Sequence, residues 1–322
     1  MVFVEAIILL VSLAILAKSS SIVVENAVKL SKFFRISQLA VGFLLLSVST
    51  SLPELTVSVV SSTAAKGAIA AGNVFGSNIA NILLIIGAGA FLYGLKIRKE
   101  TLKDIALILV LTTVISLYII FNSSIRGQAL GALEGIILLL LFLGYTFYAL
   151  RKKSISENGI NKVTKKEALR AFLYFSAAIA IVLISSSFVV DSAVKLAKIL
   201  NIAESFIGAT IIAIGTSLPE LSIDLQAIKK KRFGLALGDA IGSNMVNLTF
   251  VLGTAAIISP IHIILPVFIA ALLFAVLANI VLFYFAAVNK QLDKFGGALF
   301  LLIYAFYIIV IFYLQVHEIS PV

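Results

Sequence analysis

Residues 50–54 read Thr50-Ser51-Leu52-Pro53-Glu54, and residues 216–220 say the same again as Thr216-Ser217-Leu218-Pro219-Glu220. Each copy lies inside a long apolar run. A carboxylate near the centre of a bilayer costs roughly 2.5–3.5 kcal/mol, so an acid there is a functional-site candidate by default. The adjacent proline has no backbone N–H, which frees a carbonyl about one turn upstream to meet a cation. An acid beside a helix break, written twice, sets the reading of the whole chain.

Outward from these copies, adding 166 to positions 19–90 aligns them with 185–256 without a gap, and about a third of the positions are identical. Ser19-Ser20-Ser21 falls on Ser185-Ser186-Ser187, Val28-Lys29-Leu30 on Val194-Lys195-Leu196, and Gly42 on Gly208. Gly76-Ser77-Asn78 falls on Gly242-Ser243-Asn244, and Asn81 on Asn247. The chain is an internal duplication.

Composition supplies the medium. Of 322 residues, 61% are hydrophobic and 12% charged, with mean hydropathy +1.15. Soluble domains run near 45–50% apolar and about 25% charged, so this is a polytopic membrane protein. There is no cysteine, hence no disulfide or thiolate metal site, and two histidines leave little for zinc. The net charge of +10 does not mark a nucleic-acid binder, because the basic residues sit in short loops between apolar spans. The N-terminus, Met1-Val2-Phe3-Val4-Glu5, lacks a basic region and reads as a first span rather than a cleaved signal.

Ten spans are expected, near 2–32, 37–65, 69–93, 103–121, 128–150, 167–198, 203–228, 234–258, 263–287 and 294–316. Loops after the odd-numbered spans hold 20 of the Lys and Arg residues; the other side holds only Lys66, Arg126, Lys195 and Lys198, and Lys18 lies within the first span. That bias places both termini outside a cell membrane. Five spans per repeat is an odd number, so the second copy enters from the opposite face. The expected fold is therefore an all-α membrane protein of ten transmembrane helices in two inverted five-helix repeats. Residues 1–150 form the first, 151–166 a cytoplasmic linker, and 167–322 the second. Interrupted helices 2, 3, 7 and 8 meet at a central site, as in secondary transporters.

That site is rich in oxygen. Spans 2 and 7 supply Thr50, Ser51 and Glu54 and Thr216, Ser217 and Glu220. Spans 3 and 8 supply Ser77 with Asn81 and Ser243 with Asn247, each pair at i and i+4 on one helix face. The glycines nearby (Gly72, Gly76, Gly238 and Gly242) permit close approach or local unwinding. A lone Ser or Asn in a membrane helix is usually helix–helix glue. The duplicated set instead makes a cage with two fixed negative charges, suited to one Ca2+ or to several Na+.

Segments 42–89 and 208–255 resemble the two α-repeats of the cation/Ca2+ exchanger superfamily, closest to its Na+/Ca2+ exchanger branch of archaeal or bacterial type. The motifs are Ser-Thr-Ser-Leu-Pro-Glu (49–54), Gly-Thr-Ser-Leu-Pro-Glu (215–220), Gly-Ser-Asn-Ile-Ala-Asn (76–81) and Gly-Ser-Asn-Met-Val-Asn (242–247). The resemblance implies an antiporter and not an enzyme, with Ca2+ leaving as Na+ enters and no cofactor beyond the transported ions. It implies Glu54 and Glu220 as Ca2+ ligands with the Thr50 and Thr216 carbonyls. Ser51, Ser77, Ser217 and Ser243 are implied for Na+, with Asn81 and Asn247 nearby, and positions Ser47 and Ala213 complete the set. The expected partners are Ca2+, Na+ and membrane lipid, with no nucleic acid; monomer and dimer are left open.

Asn247 stands where K+-dependent relatives carry an acid, and Thr-Ser-Leu-Pro-Glu differs from the Gly-Asn-Ala-x-Glu of H+/Ca2+ relatives. These two branches are the alternatives within the fold, and a cation channel or an intramembrane enzyme the alternatives outside it. The chain also breaks its own symmetry. Ser47 and Ser49 oppose Ala213 and Gly215, Asp224 opposes Ser58, and Asp239 opposes Asn73. The two acids are expected either to line the inner entrance or to pair with Lys229–Arg232. A buried base could pair with the glutamates, but the only intramembrane candidate is Lys18, and it has no counterpart at Ile184.

Overall fold

The computed structural model describes residues 2–64, 67–126, 130–151, 163–199, 213–263 and 265–319. Its helices are α1 (Val2–Phe34), α2 (Gln38–Thr50), α3 (Leu52–Thr63), α4 (Gly67–Tyr93), α5 (Leu102–Arg126) and α6 (Ala132–Arg151). They continue as α7 (Lys165–Ile199), α8 (Leu218–Lys229), α9 (Phe233–Ile258), α10 (Leu265–Tyr284) and α11 (Lys294–Ile319). Among the described residues eight helices are long and apolar enough to cross a membrane, or nine when α2 and α3, bent by 45°, count as one span. Ten were expected. The difference lies in the span near 203–228, of which only Ala213–Gly215 and the twelve-residue α8 fall in the described part. Gly208, Lys66 and most of the 151–166 linker likewise lie outside the described residues.

Local chemistry fixes the helix ends. Ser37 caps α2, its hydroxyl accepting from the Ala40 N–H at 3.0 Å. Thr164 and Glu167 start α7 as a capping box: Glu167 Oε2 accepts from the Thr164 N–H at 2.8 Å, and Thr164 Oγ1 from the Glu167 N–H at 3.3 Å. Gly94, at φ 68°, stops α4 in a conformation open chiefly to glycine. At 1.5 Å per residue, the 33 residues of α1 and the 35 of α7 run for about 50 Å, well beyond a ~30 Å hydrocarbon core. Both must tilt. They pair with each other antiparallel, more extensively than any other two helices among the described residues. Lys195 of α7 meets Glu5 of α1 at 3.4 Å.

α4 and α9 form the centre. In their most apolar stretch 78% of each is buried against other helices, against 22–39% for the other six long spans. The outer helices turn large apolar side chains outward, as Leu133, Ile137, Leu140 and Phe147 of α6 and Leu302, Phe306 and Ile309 of α11 do. Such a surface has one compatible solvent, lipid. Two short ties join loops between halves. Leu95–Lys96 pairs antiparallel with Gln291–Leu292, and Leu130 bridges Ile261.

α2 crosses α9 with backbone against backbone. A Cβ on Gly42 would sit 2.5 Å from the Leu235 carbonyl oxygen and 2.8 Å from the Asp239 nitrogen. A Cβ on Gly238 would strike the Leu39 carbonyl oxygen. Backbone cannot swing aside as a side chain can. Gly238→Ala and Gly42→Ala should each cost about 1–3 kcal/mol, by overpacking. A lowered thermal midpoint in detergent checks this, with Gly144→Ala as control, since nothing among the described residues lies within 4 Å of its added carbon. Equal midpoints for all three would refute the close crossing.

Candidate ion-binding site

The repeated motif builds two helix starts. Ser51 stands at the N-cap of α3 and Ser217 at that of α8, each with proline at the second helical position and glutamate at the third. Pro53 offers no N–H to the turn before it, which is why α2 and α3 part at this point. Serine backbone groups hold the break together. The Ser51 N–H donates to the Ser47 carbonyl at 3.0 Å while the Ser51 carbonyl accepts from the Leu55 N–H at 3.0 Å. In the second copy Ser217 donates to the Ile214 carbonyl at 3.1 Å and accepts from Leu221 at 2.9 Å. Each glutamate therefore sits in a first helical turn, where backbone N–H groups have no intrahelical acceptor.

Glu54 and Glu220 are 1% and 2% exposed, and both face the molecular centre. Glu54 Oε1 lies 3.4 Å from the Ser77 hydroxyl and 3.5 Å from the Ser217 hydroxyl, so its first shell draws on both copies. The exchange is reciprocal: the Thr216 hydroxyl faces Glu54 and the Thr50 hydroxyl faces Glu220. Thr50, Ser51, Ser217 and Ser243 are buried, and Thr216 is half-buried. Ser47 is buried but donates its hydroxyl back to the Gly42 and Phe43 carbonyls of its own helix. Ala213 belongs to a short helical turn, Ala213–Gly215, just before the second break.

α4 and α9 meet at four asparagines. Asn81 Nδ2 donates to Asn244 Oδ1 at 3.1 Å, and Asn247 Nδ2 to Asn78 Oδ1 at 3.2 Å. Asn78 and Asn244 then donate to each other's backbone carbonyls at 3.4 and 3.2 Å. Every bond has its mate 166 residues away. π-helical turns, Ala80–Ile86 and Asn247–Val251, follow the clasp on both helices. Asn78 and Asn244 stand in the duplicated motif, but spacing within one helix does not reveal that they face each other across the axis.

The clasp consumes amide N–H groups and leaves oxygens over. Asn81 Oδ1, Asn247 Oδ1, Glu54 Oε2, Glu220 Oε2 and the Ser51 hydroxyl are buried with no hydrogen-bond partner among the described residues. Each buried acceptor left unpaired costs about 1–3 kcal/mol. Carboxylate, amide and hydroxyl oxygens are the ligand types that a hard cation takes.

Two sequence expectations need correction. Asp224 and Asp239 make no ion pair with Lys229–Arg232 among the described residues, and both are 0% exposed. Lys230 instead spans to α1, meeting Glu25 Oε1 at 2.7 Å, the Ser21 hydroxyl at 2.7 Å and the Ser21 carbonyl at 3.0 Å. Lys18 is no partner for the glutamates, since it lies on the exposed face of α1 beside Ile15 and Ile181.

Comparison with known proteins agrees with this geometry. The family model described as sodium/calcium exchanger protein matches residues 4–151 and 170–313. The inner membrane protein YrbG of Escherichia coli is 32% identical over 78% of this chain and 79% of its own. The sodium/calcium exchanger MaX1 of Methanosarcina acetivorans is 27% identical over 98% and 100%. Among solved structures, the sodium-calcium exchanger NCX_Mj soaked with Na+ superposes with a TM-score of 0.84 at 27% identity, covering 96% of this chain and 99% of that one. The duplicated acid-and-proline motif, the central oxygens and these likenesses agree: the chain belongs to the sodium/calcium exchanger protein family.

Proposed function

We propose that this protein is a secondary antiporter that exchanges Na+ for Ca2+ by alternating access. The observation that carries the reading is the convergence of unpaired buried oxygens on Glu54 and Glu220. Two carboxylates neutralise one Ca2+, and the same oxygens regrouped with hydroxyls serve Na+. Glu54 and Glu220 hold Ca2+ with the Thr50 and Thr216 carbonyls. Ser51, Ser77, Ser217 and Ser243 serve Na+, with Asn81, Asn247, Ser47 and the Ala213 position completing the wall. The ten spans form two inverted repeats with both termini outside. The loop ties support that arrangement, since 95–96 with 291–292 and 130 with 261 each join loops assigned to one face.

Access alternates, in this reading, by sliding of α1 and α7 as a pair over a fixed core. The two helices pack chiefly on each other, while Ser20 and Ser21 of α1 reach Ser222 of α8 and its C-cap Lys230. Single cysteines at Val23 and Val189 should change their labelling between Na+ and Ca2+ conditions, while those at Ile108 and Leu272 should not. All four side chains are buried, from 0% to 7% exposed, so the difference reports motion rather than standing exposure. Equal changes at all four would mean that whole halves rock.

The decisive test is the driving ion. Proteoliposomes should take up 45Ca2+ under an outward Na+ gradient. Uptake driven by H+ alone, or only with K+ present, would move the protein to another branch of the same fold. Flux uncoupled from any second ion would make it a channel.

A further inference from the structure

The two halves treat one spot differently. In the first, Asn73 Nδ2 donates to the Glu54 carbonyl at 3.1 Å and to the Ser58 hydroxyl at 3.0 Å, so an amide closes the space behind the glutamate. In the second half the same two positions are Asp239 and Asp224. A donor and an acceptor have become two acceptors. The carboxyls adjoin one another, and both are fully buried. Asp239 Oδ1 receives the hydroxyls of Thr50 and Ser243, each at 3.4 Å. Asp239 Oδ2 and both oxygens of Asp224 receive no donor from any other described group, so the two carboxyls have only each other there.

Two adjoining buried carboxylates repel strongly unless a proton or a cation stands between them. Among the described residues no basic side chain supplies that cation. Lys229, Lys231 and Arg232 are exposed, and Lys230 is committed to Ser21 and Glu25 of α1. Asp224 lies one turn along α8 from Glu220, toward the Lys229–Arg232 turn, which the charge bias assigns to the cytoplasmic face. The spot is thus behind the Glu54–Glu220 pair on the inner side. Its oxygens are carboxylates and hydroxyls, the ligands of a hard cation and not of a soft one.

We propose that Asp224 and Asp239, with the Thr50 and Ser243 hydroxyls, hold a further hard cation, Ca2+ or Na+, next to the exchange site. This rests on the exchanger reading for its neighbour, with which it shares Thr50 and Ser243, but not for its two carboxylates. The first half carries no such station, because Asn73 and Ser58 satisfy each other. The station is therefore single and one-sided. It would hold a cation on the inner path between the cytoplasm and Glu220.

The test is equilibrium binding of 45Ca2+ in Na+-free buffer, and of 22Na+ in Ca2+-free buffer, to the purified full chain in detergent. The variants are Asp224→Ser with Asp239→Asn, and separately Glu54→Gln with Glu220→Gln. The first pair recreates the Ser58 and Asn73 arrangement that the fold already accommodates, so it should remain folded. It should bind one cation fewer per chain at saturation, and the isotope that falls names the ion. Saturation unchanged for both isotopes would overturn the proposal and leave a shared proton between the carboxyls. The glutamate pair reports on the exchange site alone. Full binding there would count against the exchanger reading whatever the aspartates do.

Discussion

Glu54→Gln or Glu220→Gln should reduce Na+-driven Ca2+ uptake by at least about a hundredfold while leaving the protein folded. Removing one partner from a buried charge set costs about 3–5 kcal/mol, and each 1.4 kcal/mol is a factor of ten in affinity. Glutamine keeps the volume and one oxygen, so packing survives, and one fewer intramembrane charge should if anything ease insertion. The loss should be similar for both residues, since each is buried and each faces hydroxyls from the opposite half. Uptake into proteoliposomes, with thermal melting of the same preparations, checks both parts. Normal uptake by either variant would dissolve the proposed cage.

Transport should also carry current. Two ionised glutamates are neutralised by one Ca2+, whereas three Na+ would leave one positive charge, so a full cycle moves net charge. One elementary charge crossing the full field is worth about 2.3 kcal/mol per 100 mV, roughly a 50-fold bias in rate at most. Clamping the potential with valinomycin and K+ should therefore accelerate or retard uptake strongly. A cation resting between Asp224 and Asp239 leaves this count unaltered if it stays behind when the others travel. Uptake indifferent to the clamp would mean electroneutral exchange, with two Na+ or two H+ per Ca2+.

Most of the frame could be read from the chain because duplication doubles every signal. The break before Pro53 and Pro219 follows from a missing N–H, and helix limits fall within a few residues of the apolar runs. What could not be read is how partners meet across the axis. The 3.6-residue period puts Ser77 and Asn81 on one face but does not say that Asn78 would reach α9. The wide turns at Gly42–Ser47 and Ala80–Ile86 have no local composition signal. Charge proximity in sequence also misled. Asp224 stands near Lys229–Arg232 along the chain, yet those bases point away and Lys230 leaves for Glu25, because a long flexible side chain at a helix end reaches solvent and the neighbouring helix more cheaply than the interior.

The asparagine clasp has a consequence for how the protein is made. Asn78 and Asn81 enter the membrane with the first half, but the groups that receive them, Asn244 and Asn247, are translated more than 160 residues later. Until α9 arrives, the nascent first half carries buried-type amides facing lipid, at about 1–3 kcal/mol for each unpaired group. The first half therefore cannot complete its polar pairing until the second half is in place. A chain halted between residues 82 and 244 would carry these amides without the partners that lock the finished core.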